Sequence, residues 1–174
     1  MRAFGLAGWS GSGKTVLMGR LLPELTGRGL KVSTVKHAHH DFDVDQPGKD
    51  SLQHRQAGAT EVLVASDRRW ALMHELRGAP ELGLVDLVRH MSPVDLLLVE
   101  GFKRHPMPKL EIYRPSLGKA PLWPDDPSVC AIATNEPLPE DWRNRCTLPV
   151  LDLDTVAAIA DFILAHAVAL EGTR

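Results

Sequence analysis

Gly8-Trp9-Ser10-Gly11-Ser12-Gly13-Lys14-Thr15 fits the phosphate-binding loop G-x-x-x-x-G-K-[ST] at every fixed position. The three glycines let the backbone curl until its N–H groups point inward at phosphate oxygens. A helix starting at the end of the loop adds partial positive charge behind them. Lys14 supplies a full charge for β- and γ-phosphates, and the Thr15 hydroxyl is a ligand for Mg²⁺. Gly8, Ser10, Gly11, Ser12, Gly13, Lys14 and Thr15 are therefore candidate nucleotide contacts. The ligand this chemistry calls for is a nucleoside triphosphate with a divalent ion.

The flanks supply what such a loop needs. Arg2 to Ala7 is a short apolar run that reads as a buried strand, and Val16 to Leu22 has apolar residues at helical spacing. Further along, strand and helix signals alternate. The pattern predicts helices over 14–27, from Asp50 or Ser51 as cap to about 58, over 80–91, and over 155–170 with Asp154 as cap. It predicts strands over 30–36, 60–65, 94–100, 110–113, 128–133 and 148–151, with 69–74 as an antiparallel hairpin partner of 60–65. The run 94–100 is the most apolar and is expected to be central. Segment 115–127, with Pro115, Pro121, Pro124 and Pro127, reads as a surface loop. The expectation is a single α/β domain over 1–174: a P-loop NTPase-type, mostly parallel sheet flanked by helices.

A Mg²⁺ ion beside the phosphates needs a carboxylate across from the loop. Asp95 and Glu100 bracket the most apolar strand, about 16 Å apart along it, so only one faces the nucleotide. Ligands of such sheets bind at the carboxyl ends of strands, which selects Glu100. The loop from His37 to Asp45 also leaves a strand at that end. It reads as a segment sensing the γ-phosphate and Mg²⁺, with Asp45 or Asp50 as water-mediated metal contacts. A transition-metal site or a solvated loop without a role are its alternatives. Lys36, Lys49, Lys103 and Arg104 lie near the same edge, and Lys103 is the best placed of them to supplement Lys14. Asn135 ends a strand where a base-reading residue belongs; its carbonyl can accept from guanine, but it lacks the charge that makes Asp selective. A turn residue leading to Pro137 is the plainer reading.

Charge is nearly balanced, 20 Lys and Arg against 22 Asp and Glu, with few aromatics, so a nucleic-acid partner is not expected. No apolar run reaches membrane-spanning length, and the amino terminus leads straight into a strand, so neither a membrane span nor a signal peptide is expected. Cys130 and Cys146 read as reduced cytosolic thiols.

An ordered set of blocks makes the chain more specific than its phosphate loop. Gly8 to Thr15 is followed by Thr34-Val35-Lys36-His37, Asp45-Gln46-Pro47-Gly48-Lys49-Asp50-Ser51, Arg55-Gln56-Ala57-Gly58-Ala59, Val99-Glu100-Gly101-Phe102-Lys103 and Lys109-Leu110-Glu111-Ile112-Tyr113-Arg114. This set resembles the molybdopterin-guanine dinucleotide biosynthesis protein B (MobB) family. The resemblance implies a cytoplasmic GTP-binding adaptor with weak hydrolysis, a homodimer working beside the molybdopterin guanylyltransferase and other molybdenum-cofactor assembly proteins. It implies GTP and Mg²⁺ as cofactors. Gly11, Gly13, Lys14 and Thr15 would hold phosphates and metal, Glu100 would be the metal-side acid, and Asp45, Lys49 and Asp50 would enter the nucleotide environment. The chain departs from the family at Asn135, where an acidic residue is expected. Two rivals stand beside this reading: a P-loop small-molecule kinase, and a binding module in which nucleotide only fixes a conformation or a dimer. The slow-hydrolysis expectation has its own basis, since no glutamine directly follows Val99-Glu100-Gly101 to orient a water, and no arginine finger in cis stands out.

Overall fold

Leu96, Leu97, Leu98 and Val99 are all fully buried, so the strand they form is covered on both faces. In the computed structural model, which describes residues 1–38, 42–102 and 105–170, that strand belongs to a seven-stranded sheet. In chain order the elements are β1 (Arg2–Ala7), α1 (Lys14–Gly27), β2 (Val32–Lys36), α2 (Asp50–Gln56), β3 (Glu61–Ala65), β4 (Trp70–His74), α3 (Leu84–Val88), β5 (Leu96–Glu100), β6 (Lys109–Ile112), β7 (Val129–Thr134), α4 (Glu140–Arg143), β8 (Val150–Asp152), α5 (Val156–His166) and β9 (Val168–Ala169). A 3-10 turn at Pro115–Leu117 follows β6.

The sheet runs β2-β5-β1-β6-β7-β8, all parallel, so every strand delivers its carboxyl end to one edge. β5 lies inside the sheet, one strand in from the β2 edge, while β1 and β6 hold the middle. β9 pairs antiparallel with the start of β1, Arg2 opposite Ala169 and Ala3 opposite Val168, beside the stretch where β6 takes over at Gly5.

Alternation along the strands sorts the core into two faces. Phe4, Leu6, Leu96, Leu98, Leu110 and Ile112 pack with Leu17, Leu21 and Leu25 of α1 and with Ile159, Ala160 and Ile163 of α5. Leu17, Leu21 and Leu25 recur every fourth residue, which puts one apolar stripe of α1 on the sheet. On the other face, Ala3, Leu97 and Val99 pack with Leu84 and Val88 of α3, Met107 and Leu170. This clamp fixes both ends of β1 and hence the loop that leaves it.

Several local expectations change. The helix expected over 80–91 keeps only Leu84–Val88, because Pro80 and Gly83 delay its start and turns at His90 and Met91 end it. The last helix stops at His166, and Val168–Ala169 turn back to pair with β1. Asp154 does not cap that helix; Thr155 holds the cap position, and its hydroxyl donates to Asp152. Neither Asp50 nor Ser51 caps α2, which starts after Lys49, and the Ser51 hydroxyl donates to Asp45 instead.

Segment 115–127 is pinned to the sheet. Lys109 and Glu111 point to the face of β6 opposite Leu110 and Ile112, and both are buried. The Glu111 carboxylate accepts from the N–H groups of Leu122 at 2.7 Å and Trp123 at 2.9 Å. Lys109 Nζ donates to Asp126 at 3.0 Å and to Ser128 Oγ at 2.7 Å. Buried charges of this kind need such partners, and here the partners are what anchors the segment.

The chain falls into two units, Met1–His37 with Leu84–Arg174, and Ala38–Gly83. The second holds α2 and the hairpin β3–β4, in register from Glu61 opposite His74 to Ala65 opposite Trp70. Within this unit Arg55 binds Asp43, Asp45 and Glu75, each at 2.7 Å. No helix among the described residues is long and apolar enough to cross a membrane.

Candidate nucleotide-binding site

β1 ends at Ala7 and α1 begins at Lys14, so the phosphate loop fills the turn between strand and helix at the carboxyl edge of the sheet. Gly8 is required there. At φ 140° it passes so close to β6 that a Cβ would lie 2.5 Å from the Ile112 carbonyl oxygen and 2.7 Å from Ser12 Oγ. Gly13 takes the left-handed conformation just before α1, and no described side chain caps the helix. The first N–H groups of α1 are thereby directed at the loop, the arrangement that accepts an anion.

Lys14 lies across the loop, its Nζ donating to the Gly8 carbonyl at 2.8 Å and the Trp9 carbonyl at 2.9 Å. Thr15 is exposed at the first turn of α1. Ser12 Oγ is buried with no hydrogen-bond partner among the described residues. A buried, orphaned hydroxyl in the glycine loop fits a loop built to receive phosphate oxygens.

The other expected residues fall into two groups. Glu100 ends β5 in register with Leu6 and with Lys36, at the same edge as the loop. Its carbonyl accepts from His37 N at 2.8 Å. The chain then turns sharply: a Cβ on Gly101 would sit 2.5 Å from His37 Cβ, and Phe102 also has a positive φ, 40°. Asp95 lies at the far edge, where its carboxylate accepts from Lys31 N. Asn135 follows β7 directly, exposed, also on the loop edge. Asp45, Lys49 and Asp50 belong to the second unit. There Asp45 accepts from Arg55 Nε and Ser51 Oγ, while Lys49 and Asp50 are exposed at the start of α2. Lys103, Arg104, His39, His40 and Asp41 lie outside the described residues. Among the described residues no three His, Cys, Asp or Glu side chains gather as a self-contained metal site would need.

Residues 3–135 match the family described as Molybdopterin guanine dinucleotide synthesis protein B. The chain belongs to this MobB family. A relative from Haemophilus influenzae, "Molybdopterin-guanine dinucleotide biosynthesis adapter protein", is 43% identical over 159 residues, 91% of this chain and 85% of the relative. The protein of the same name from Escherichia coli is 44% identical over 161 residues, 91% of this chain and 89% of that one. Among solved structures, a molybdopterin-guanine biosynthesis protein B aligns with a TM-score of 0.71 at 25% identity, covering 94% of this chain and 98% of that one. Bacillus subtilis MobB aligns with a TM-score of 0.72 at 24% identity, covering 98% and 100%.

In this MobB chain one group that the sequence did not assign to the loop lies beside it. Arg114 follows β6, and its Nη2 lies 3.7 Å from where a Cβ on Gly13 would be. Its Nε is buried without a hydrogen bond, 3.7 Å from Glu136 Oε1. Glu136 accepts from the Ser116 N–H and hydroxyl, both at 2.8 Å, and these bonds hold its carboxyl below the usual range. A guanidinium so braced adds a second fixed positive charge beside the loop. The only sequence signal was its place at the end of the Lys109–Arg114 block. Asp154, expected as a helix cap, lies in the turn between β8 and α5, where Asn135 Nδ2 and Arg20 Nη1 donate to its carboxylate. Trp9 ties the 115–127 segment to the loop, its Nε1 donating to the Ala120 carbonyl at 2.7 Å. An open cleft of about 430 Å³ lies along the ends of β7 and β8, bordered by Thr134, Glu136, Leu138, Arg143, Val150 and Asp152.

Proposed function

We propose that this MobB-family chain is a GTP-binding adaptor in molybdopterin guanine dinucleotide biosynthesis, acting in the cytoplasm as a homodimer beside the guanylyltransferase. The observation that carries the nucleotide part is the loop itself. It has a buried unpartnered Ser12 hydroxyl, an uncapped helix start, and Lys14 and Arg114 beside the same glycines. Family membership and the names of the relatives support the adaptor part.

Gly8 to Thr15 would cradle the phosphates, with Lys14 and Arg114 as counter-charges. Thr15 and Glu100 would take the Mg²⁺, which neutralises phosphate charge when bound. Hydrolysis is slow in this account because Phe102, and no glutamine, follows Gly101. A kinase would need a mobile lid, and the segment beside the loop is instead anchored by Glu111, Lys109 and Trp9.

The test is turnover of GTP by purified protein with Mg²⁺, alone and with the guanylyltransferase. Slow turnover alone, with complex formation, is the expected result. Rapid multiple turnover by the isolated chain, or phosphorylation of a metabolite, contradicts it.

A further inference from the structure

We infer that Asp154, steered by Asn135, is the carboxylate that reads guanine in this site; the inference rests on the nucleotide-binding reading above. β7 and β8 lie two and three strands from β1, on the same carboxyl edge as the phosphate loop. At about 4.8 Å per strand, the end of β7 is about 10 Å to the side of the loop, on the edge where ligands of such sheets bind.

Asn135 stands there without the charge that selects guanine, but the charge is next to it. Asn135 Nδ2 lies 3.4 Å from Asp154 Oδ2. Arg20, on the helix that begins at the phosphate loop, holds the same turn: its Nη1 is 3.3 Å from Asp154 Oδ1, and its Nη2 donates to the Asp154 carbonyl at 2.7 Å. Asp152 fixes the turn from below, accepting from Asp154 N at 2.9 Å and from Thr155 Oγ1 at 2.8 Å. Asp154 is 62% exposed, so its carboxylate has lone pairs facing solvent.

Guanine offers two adjacent donors, N1–H and the exocyclic amine, and a carboxylate accepts both with charge-assisted bonds. Adenine presents an N1 lone pair at that position, which a carboxylate repels. Xanthine carries a carbonyl where guanine has the amine, which a carboxylate also repels and an amide satisfies. Asn135 acts as the positioning residue and Asp154 as the reader.

The experiment is calorimetric binding of GTP, ATP and xanthosine triphosphate, with Mg²⁺, to the full chain and its variants. The wild type should prefer GTP to ATP at least tenfold. Asp154→Asn should lose at least tenfold on GTP, leave ATP unchanged and gain on xanthosine triphosphate. The double variant N135D/D154N, which moves the acid onto the end of β7, should regain the GTP preference. An unchanged GTP-to-ATP ratio in Asp154→Asn overturns the inference, and so does an equal loss on all three nucleotides, the mark of a merely structural role. If the wild type binds no triphosphate, the nucleotide-binding reading itself fails and this inference falls with it.

Discussion

Lys14 reaches back over its own loop and donates to the carbonyl of Gly8 at 2.8 Å. The residue that opens the loop and the residue that closes it are thus joined by the group that carries its charge. Lys14→Ala removes two donated bonds to loop carbonyls and the counter-charge together. Triphosphate affinity should fall at least tenfold, about 1.4 kcal/mol. The fold should lose only about 1 kcal/mol, since the bonds are local and partly solvated. Isothermal titration beside a thermal melt separates the two; a large drop in melting temperature with unchanged affinity would contradict this.

Gly8→Ala should act the other way round. A methyl group there meets the Ile112 carbonyl at 2.5 Å, and φ 140° is strained for any L side chain. We expect a loss of about 2–4 kcal/mol in stability, because β6 cannot retreat without disturbing Leu110 and Ile112 in the core. Denaturant unfolding checks it, and a change below about 0.5 kcal/mol would show that the loop is not seated against β6.

Arg114→Ala should weaken GTP binding about tenfold, and binding of guanosine hardly at all, because its Nη2 lies beside Gly13 of the phosphate loop. Glu136→Gln should give a smaller loss of the same kind, since it loosens the brace without removing the charge. Equal losses for GTP and guanosine would place Arg114 elsewhere in the mechanism.

The outlines of the sheet and its helices were legible because the sequence punctuates them. The Leu96–Glu100 run, the glycine loop and the alternating segments each carry their own periodicity. Strand order was not legible, since β1 sits between β5 and β6 for reasons of long-range packing. β9 was missed because two residues after an apolar helix carry no strand signal of their own. The segment 115–127 read as a surface loop, but its anchoring was not legible, because Glu111 and Lys109 are charged residues on a strand and sequence alone does not reveal that they are buried. The glycine-loop motif was legible because its spacing is local. The proximity of Arg114 to Gly13 and of Asp154 to Asn135 was not, because it arises only when the carboxyl ends of β6, β7 and β8 are brought together.

Acid should loosen the second unit. Arg55, hydrogen-bonded to Asp43 and reinforced by the Asp45 N–H, holds the Asp43 carboxyl below its usual range. A carboxyl depressed in the folded state binds its proton more readily when unfolded, so its stabilising effect is present above the unfolded value, about 3.9, and is lost as pH falls below it. Protection of amides across α2 and β3–β4, the exchange rate relative to unstructured peptide at the same pH, should hold from pH 7 to about 5 and fall below about 4. Arg55→Met should already show the lower protection at neutral pH. Protection that is independent of pH and equal in both proteins would remove Arg55 from this role.

The most direct measurement is competition at the phosphate loop: displacement of a fluorescent GTP analogue by GTP and by ATP, with and without Mg²⁺, on the wild type and on Lys14→Ala. The account expects GTP to displace the probe more effectively than ATP, Mg²⁺ to strengthen the effect, and Lys14→Ala to abolish most of it. A probe that binds equally well to Lys14→Ala, or that no triphosphate displaces, would contradict it.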